Sequence, residues 1–233
     1  MKDLKLFVNN LLQSQNMFNF CPPKELIDLK SETFPDGKRY YTLEDGTRLP
    51  SVTTVLGAQK KEAIMKWRKR VGEVEANRIS KQATGRGTNV HTLCERYLNN
   101  ARLGTIMPDA LEMFQSLKPL LNRIDNIHYQ ECALWSKQLG MAGRVDCIGE
   151  FDGVLSVIDF KTSKRIKSLG DIEDYFWQTA AYSLMYEEMI GNPIDQLVII
   201  MAVENEQPMI FIQKTEDHIP GLVKAIKYYK EQK

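Results

Sequence analysis

Residues 143–161, GRVDCIGEFDGVLSVIDFK, decide the fold, because they contain two strand-like runs joined by an Asp-Gly pair. Asp-Gly supplies the positive φ angles that a two-residue hairpin turn requires. Placing Asp152 and Gly153 in that turn makes Phe151 face Val154, and the turn fixes the register of the whole hairpin. The stretch therefore predicts an antiparallel hairpin with one defined pairing.

That register gathers four charged side chains. Counting back from the turn places Asp146 opposite Asp159 and Arg144 opposite Lys161. Since side chains two apart on a strand share a face, all four are expected to project from one side. The alternate positions are apolar and are expected to point into a core: Val145, Cys147, Ile158 and Phe160.

Two facing carboxylates repel each other across a sheet, so something must offset the repulsion. A divalent cation such as Mg²⁺ does so, because hard cations take carboxylate oxygens as ligands. The alternative is two solvated strand aspartates with Lys161 as a counter-ion. Two facing aspartates, with a lysine two residues after Asp159 and apolar alternates between them, favour a metal site over that alternative.

The rest of the chain alternates helical and strand-like patterns. The predicted elements are a hairpin over 38–49 around Asp45-Gly46, a helix capped by Ser51, helices over 58–100 with a break near Thr84-Gly85-Arg86-Gly87, a helix over 109–127 that Pro119 bends or ends, a strand from 129, a helix over 171–190, strands over 196–203 and 208–214, and a helix from Pro220. The order predicts one mixed α/β domain over 1–233, with an N-terminal extension (1–37), a basic helical arm (58–100) and a catalytic core (129–215).

Composition limits the function classes. The 233 residues carry a net charge of only +1, so a nucleic-acid surface must come from local clustering. No apolar run approaches the roughly 20 residues that span a bilayer, and no signal peptide is evident, so a cytoplasmic protein without a membrane partner is expected. The four cysteines form no CxxC pair and are expected to be inert thiols.

Several of these residues together resemble the PD-(D/E)xK nuclease superfamily, in particular its RecB-type branch. The resemblance covers about residues 38–190. It rests on an ordered set of motifs: LPSVTT at 49–54, RGTNVHTLCE at 86–95, GRVD at 143–146, DFKTSK at 159–164 and QTAAY at 178–182. The first of these is similar to a segment of mitochondrial genome maintenance exonucleases and their phage relatives.

The resemblance implies a fold, a metal and roles for individual residues. The fold is a central mixed β-sheet of the restriction-endonuclease-like type, flanked by helices. The metal is Mg²⁺ or Mn²⁺, held by His91, Asp146 and Asp159. Lys161 and Glu131 complete the catalytic set, and Glu131 is otherwise a strand-edge carboxylate in water. DNA contacts are expected from Ser51, Thr53, Arg86, Gln178 and Tyr182, of which the last two alternatively contact the lysine region. Glu95, one turn after His91, either orients the imidazole or is a solvated helix charge.

Positive charge concentrates before the predicted metal site. Residues 58–91 hold nine Lys or Arg against three Glu. Such a run is usually a solvated helix face, but beside a nuclease site it also gathers phosphates. Lys66, Arg68, Lys69 and Arg70 are the predicted DNA contacts of this arm. Trp67, within the same run, either stacks on a base or packs into the arm.

The sequence therefore predicts a metal-dependent DNA exonuclease that needs a strand end, with a preference for single strands. The resemblance extends to phage enzymes and to DNA replication, repair and recombination. Three alternatives stay open: a structure-specific endonuclease using the same site, a DNA-binding protein without catalysis, and the CRISPR-associated iron–sulfur branch. The intact Asp/Asp/Lys set disfavours the second, and the cysteine spacing disfavours the third.

Overall fold

The predicted hairpin lies at the centre of a five-stranded mixed sheet. The computed structural model describes residues 18–104 and 107–232. The strands of this sheet are β4 (Ile124–Ser136), β5 (Met141–Phe151), β6 (Val154–Ser163), β7 (Gln196–Val203) and β8 (Met209–Lys214), in the order β4-β5-β6-β7-β8. All neighbours are antiparallel except β6 and β7, which are parallel. A mixed sheet with flanking helices confirms the predicted fold class.

A smaller antiparallel sheet packs beside β4 and β5. It consists of β1 (Ser31–Thr33), β2 (Arg39–Thr42) and β3 (Arg48–Pro50). The β2–β3 hairpin is the one predicted around Asp45-Gly46, whereas the three-residue β1 was not predicted. Leu49 of this sheet packs against Ala133 and Ala142 of the central sheet. Residues 1–17 of the predicted N-terminal extension lie outside the described residues.

Six helices surround the sheets in the described part of the chain. They are α1 (Val52–Gly57), α2 (Lys61–Val71), α3 (Glu73–Leu98), α4 (Pro108–Leu121), α5 (Glu173–Ile190) and α6 (Thr215–Glu231), with short 3-10 turns at Ala58–Lys60 and Leu169–Asp171. Ser51 caps α1 as predicted, because its hydroxyl accepts the Thr54 backbone N–H at 3.0 Å. None of the described helices is both long enough and apolar enough to cross a membrane.

Each face of the central sheet has its own core. On one face, the α5 side, strand residues pack against α1, α5 and α6; on the other, the α4 side, they pack against α4 and the second half of α3. Strand β7 is buried on both faces and contributes alternately: Leu197, Ile199 and Met201 to the α5 side, Val198, Ile200 and Ala202 to the α4 side. This explains why its sequence is an uninterrupted apolar run.

The helical region before the sheet differs from the prediction at one point. No break occurs at Thr84–Gly87, because α3 runs without interruption from Glu73 to Leu98. A glycine inside a helix costs only about 1 kcal/mol relative to alanine. Burial of five residues in the following turns offsets that cost: Val90, Leu93, Cys94, Tyr97 and Leu98.

Two helix limits also differ from the prediction. The stretch 109–127 is helical only to Leu121, and β4 begins at Ile124. Pro119 lies inside the last turn of α4, where its missing N–H weakens the helix just before the end. Helix α6 begins at Thr215 rather than at Pro220, with Glu216 and Asp217 in the first turn, where negative charge is favourable.

Candidate active site

A cleft of about 770 Å³ lies where α3, α1 and the small sheet meet the open end of the β5–β6 hairpin. Eight of the residues predicted for the site line it: Ser51, Thr53, His91, Glu131, Asp146, Lys161, Gln178 and Tyr182. Asp159 is buried beside Lys161, at 1% exposure. Elements that are distant in sequence thus bring most of the predicted site together.

Three side chains in this cleft form a candidate metal site. One ligand atom each from His91, Glu131 and Asp146 lie within 4.8 Å of one another. His91 Nδ1 lies 3.4 Å from Asp146 Oδ2. Ligand atoms on opposite sides of a bound Mg²⁺ are about 4 Å apart, so small side-chain movements would suffice to bind an ion here.

Asp159 and Lys161 form a buried ion pair next to this cluster. Lys161 Nζ lies 2.5 Å from Asp159 Oδ2, while Asp159 Oδ1 has no hydrogen-bond donor among the described residues. Burial raises the pKa of the Asp159 carboxyl above its ordinary range, against the opposing effect of Lys161. A buried carboxylate oxygen without a donor is costly unless a cation or a donor reaches it.

Lys161 remains protonated despite its burial. Burial alone would lower the pKa of the ammonium, but Asp159 and Asp146 outweigh it, so the pKa lies above its usual value. Nζ also donates to Gln178 Oε1 at 3.4 Å and lies 5.0 Å from the ring centre of Tyr175. Lys161 is therefore a fixed cation and hydrogen-bond donor, not a base.

The predicted register of the hairpin is confirmed, but the pairing ends one position before the two aspartates. Its last pair is Cys147–Ile158. Beyond it, Asp146 Oδ2 accepts the Phe160 backbone N–H at 2.8 Å. The side chain of Asp146 thus occupies a position that strand pairing would otherwise fill.

The prediction that strict alternation holds through Asp146 is wrong. Val145 lies in the core on the α5 side, whereas Cys147 lies in the core on the α4 side, although two residues apart on a regular strand share a face. Asp146 reaches His91 of α3, while Lys161 contacts Gln178 of α5. Asp146 therefore lies in the cluster with His91 and Glu131, while Asp159 lies outside that cluster, paired with Lys161.

Glu131 lies opposite Asp146 in the register of β4 and β5, at a position where the two strands are not paired. The β4–β5 pairing runs through Gln130–Cys147 and resumes at Cys132–Val145, and Glu131 has a φ angle of 45°. Burial raises the pKa of its carboxyl to about 7, with further contributions from Asp146 and Glu95. A cation beside this partly buried carboxyl would favour its ionised form.

Tyr182 explains why a glycine stands in the GRVD motif. Tyr182 is buried, and a Cβ at Gly143 would lie 2.7 Å from its ring and 2.8 Å from its hydroxyl oxygen. Only a residue without a side chain allows this approach. Burial raises the pKa of the Tyr182 phenol above its ordinary value, so the hydroxyl stays protonated beside Gln178.

The residues predicted to contact DNA differ in the exposure of their side chains and in the partners they already have. Ser51 is 3% exposed, and its hydroxyl is engaged in capping α1 and in contacts with Thr53 and Thr54. Thr53 is exposed and faces the cleft. Arg86 lies outside the cleft, in a neighbouring cavity, and pairs with Glu204 at 3.1 Å.

The four arm residues predicted to contact DNA lie on α2, and none of them lines the cleft. Arg68 is ion-paired with Glu73. For Lys66, Lys69 and Arg70, the described residues provide no ion pair. Trp67 is half-buried, consistent with packing within the arm.

Sequence reasoning missed several residues that line the cleft or support it: Arg39 and Tyr41 from β2, Thr84, Thr88 and Thr92 from α3, and Tyr175 from α5. A signal existed for the threonines, since their spacing of four places them on one helix face with His91 and Glu95. None existed for β2, which reaches the cleft only through the packing of the small sheet.

The donor set fits a divalent cation. It offers carboxylate oxygens and one imidazole, a combination that suits Mg²⁺ or Mn²⁺. The oxygen of Asp159 without a donor and the raised pKa of Glu131 are both features that a bound cation would relieve. All four cysteines are free, and none belongs to the candidate cluster.

Comparison with protein families identifies a family model that matches the chain. The model of the PD-(D/E)XK nuclease superfamily matches residues 112–230, slightly more than half of the chain. The matched region extends from α4 to α6 and includes Glu131, Asp146, Asp159 and Lys161, while His91 lies before it. Comparison with curated proteins gives no match.

Among solved structures, the chain is similar to one described as a "Putative exonuclease" from Eubacterium rectale. The two share 13% sequence identity with a TM-score of 0.46, and the alignment covers 64% of this chain and 65% of that chain. The chain thus spans slightly less than two thirds of the length of that protein.

Proposed function

Because this chain belongs to the PD-(D/E)XK nuclease superfamily, we propose that it is a divalent-metal-dependent deoxyribonuclease that degrades DNA from free ends, preferentially single-stranded ones. The observation that carries the proposal is the placement of His91, Glu131 and Asp146 within 4.8 Å of one another, beside the buried Asp159–Lys161 pair. Carboxylates this close together repel one another, and a cation between them would stabilise the arrangement.

In this proposal, Asp146, Asp159, Glu131 and His91 hold Mg²⁺ or Mn²⁺. When bound, such an ion polarises the scissile phosphate and lowers the pKa of water for attack. The protein residues supply position and charge. Asp146 is fixed by the Phe160 N–H, and Glu131 approaches from the neighbouring strand.

Lys161 acts as a donor in this mechanism. Its ammonium is held by Asp159 and Gln178 and stays protonated, so it can orient the attacking water or stabilise the negative charge that develops on the phosphate. The Tyr175 ring lies 5.0 Å from Lys161 Nζ, and the buried Tyr182 hydroxyl lies beside Gln178. Thr53 and the threonines of α3 offer neutral hydroxyls to the sugar–phosphate backbone.

The arm supplies the end preference in this proposal. Lys66, Lys69 and Arg70 are cations without ion-pair partners among the described residues, and the helix that carries them, α2, is followed after Gly72 by α3, which contains His91. Phosphate contacts of this kind are independent of sequence and are screened by salt. A strand guided along the arm would enter the cleft by its end.

A nuclease assay tests the proposal. Linear single strands labelled at the 5′ or 3′ end, the matching duplexes and a circular single strand are incubated with Mg²⁺, Mn²⁺ or EDTA. We expect cleavage of linear strands only with metal, short products from one end, and resistance of circles. Rapid cutting of circles would instead assign an endonuclease, and no cutting by the wild type under any condition would support a protein that only binds DNA. Asp146→Asn serves as the inactive control.

A further inference from the structure

The conformation of Glu131 is the starting point for one further inference. Its φ angle of 45° is in the left-handed region, which residues with side chains rarely adopt. The position also falls out of the β4–β5 pairing, between Gln130–Cys147 and Cys132–Val145. A buried strand does not keep an unfavourable backbone conformation unless neighbouring groups hold it there.

Arg144 contacts the backbone at this point. Its Nη1 donates a short hydrogen bond to the carbonyl oxygen of Glu131, the residue that lies outside the β4–β5 pairing at this point. Backbone carbonyls that leave a ladder need another donor when they are partly buried. Arg144 supplies it from β5, where it is paired with Ala133, two residues beyond Glu131.

The guanidinium is itself anchored. Its Nη2 donates to Asp28 Oδ1 at 2.5 Å and to the Leu29 carbonyl oxygen at 3.5 Å. Leu29 is buried in the small core formed with Tyr41 and Leu49, so the segment that carries Asp28 is fixed. A guanidinium can make these contacts together because its donors form a rigid planar fork, which an ammonium does not have.

We propose that Arg144 is a positioning residue of the metal site: clamped by Asp28, it holds the Glu131 backbone so that the carboxylate points at His91 and Asp146. This inference rests on the proposed metal site and concerns how that site is built. Arg144 acts through Glu131 and does not itself bind the ion, since its cationic head is turned to backbone carbonyls and Asp28.

The test is divalent-cation binding by the full chain without DNA, with Mn²⁺ or Ca²⁺ as the titrant in calorimetry. We expect Arg144→Ala to weaken cation affinity about 10–100-fold, the range found when a residue that orients a ligand is removed. Arg144→Lys keeps the charge but not the fork, so it should fail to restore affinity. Asp28→Asn should show a smaller loss in the same direction.

Arg123→Ala is the matched control. Arg123 also pairs with an aspartate, Asp152, at the opposite end of the hairpin, and it has no contact with Glu131. Its loss should leave cation affinity within about twofold of the wild type, because no orienting residue is removed. Circular dichroism of each variant establishes that it is folded, and if Arg144→Ala is not, Arg144→Lys and Asp28→Asn carry the test.

A double-mutant cycle with Glu131→Gln separates positioning from other roles. If Arg144 acts through Glu131, then Arg144→Ala should cause no further loss of affinity in the Glu131→Gln background. An undiminished loss in that background, full affinity of Arg144→Ala, or rescue by Arg144→Lys would overturn the inference while the metal site itself stands. A wild type that binds neither cation would overturn both this inference and the metal-dependent function.

Discussion

The cleft has a buried ion pair, whereas the cations on α2, the first α-helix of the arm, are mostly exposed. In the cleft, Asp159 is 1% exposed and its partner Lys161 is 18% exposed, so their charges act in surroundings with little water. In the arm, α2 has no buried residue, and Ile64 and Met65 are half-exposed. Charges in the first setting interact strongly because little water surrounds them, whereas charges in the second are screened by water and salt.

In the proposed function, this difference assigns catalysis to the cleft and DNA binding to the arm. A change in the cleft should weaken the stabilisation of a transition state and reduce the rate by orders of magnitude. A change in the arm should alter only how strongly phosphates are attracted, and the effect should depend on ionic strength. The cleft also has a cost that the arm does not, because its carboxylates repel one another before a cation binds.

The largest expected effect is the loss of a carboxylate from the cleft. Asp146→Asn should reduce cleavage at least about 10³-fold, the equivalent of roughly 4 kcal/mol, because the metal loses a charged ligand. The variant should fold, since an amide oxygen can still accept the Phe160 N–H. Cleavage rates with saturating Mg²⁺ and urea denaturation of the metal-free protein measure the two effects.

Asp159→Asn provides the contrast. It should be equally inactive, but it leaves Lys161 in the interior without its ion-pair partner, which should destabilise the metal-free protein by about 3 kcal/mol. Full activity of either variant would contradict the assignment of the site. If the two variants are equally stable, Asp146 stabilises the Lys161 ammonium as much as Asp159 does.

The next effect concerns Lys161. Lys161→Ala should slow cleavage about 10²–10³-fold, as when other electrostatic donors are removed from an active site. DNA binding in the presence of Ca²⁺ should change little, because the side chain is mostly buried and bound to Asp159. Single-turnover rates and binding by fluorescence anisotropy separate the two steps. If binding falls as much as the rate, Lys161 is an anchor for phosphate rather than a catalytic group.

Sequence patterns predicted those parts of the cleft whose geometry depends on residues nearby in the chain. The Asp152-Gly153 turn fixes the register, and apolar alternation identifies β6, so Asp159 and Lys161 could be located from the residues alone. His91 and Gln178 came from the resemblance and not from spacing. The irregularity at Glu131 could not be predicted, because a left-handed glutamate depends on a guanidinium from another strand and an aspartate about 100 residues away.

The helices show the same limit. The glycines of Thr84–Gly87 predict a break because local propensity is all that a sequence pattern reports, and burial of the following turns overrides it. Likewise, no pattern in residues 39–41 indicates that β2 reaches the cleft. The prediction was most accurate where the physical cause lies within a few residues of its effect.

The pH dependence of stability gives a smaller effect, confined to the cleft. Burial raises the pKa of Glu131 from 4.5 to about 7 in the folded protein. Between these values the folded state binds a proton that the unfolded state has released, so the free energy of unfolding of the metal-free protein should fall as pH rises from about 4.5 to 7. Asp159, whose pKa is also raised, adds to this trend.

Glu131→Gln isolates the contribution of Glu131. Urea denaturation at several pH values should show a shallower decline for this variant than for the wild type, whereas the exposed Glu44→Gln should follow the wild type. Added Mn²⁺ should reverse the wild-type trend, because cation binding requires the ionised carboxylate. If the free energies of unfolding of the wild type and Glu131→Gln change with pH in parallel, then a group other than Glu131 causes the pH dependence.

The smallest expected effects are those of substitutions in the arm. Lys66→Ala, Lys69→Ala and Arg70→Ala should each weaken binding to single-stranded DNA without changing cation affinity. Removing one cation that binds a phosphate should reduce the slope of log K against log[salt] by roughly 0.7. Arg68→Ala should have less effect, because Glu73 already neutralises that guanidinium.

The controls decide whether the arm binds DNA or only keeps its helices solvated. Arg78→Ala removes an arm charge that is already paired with Glu75, and Lys227→Ala removes an exposed charge on α6, so neither should alter the slope. If the Lys66/Lys69/Arg70 triple alanine variant keeps the wild-type slope, then the arm is a solvated surface. In that case a strand end has no charged path into the cleft, and circular single strands should be cut as readily as linear ones. If instead the slope falls and circles resist, capture by the arm and chemistry in the cleft are separable steps of one reaction.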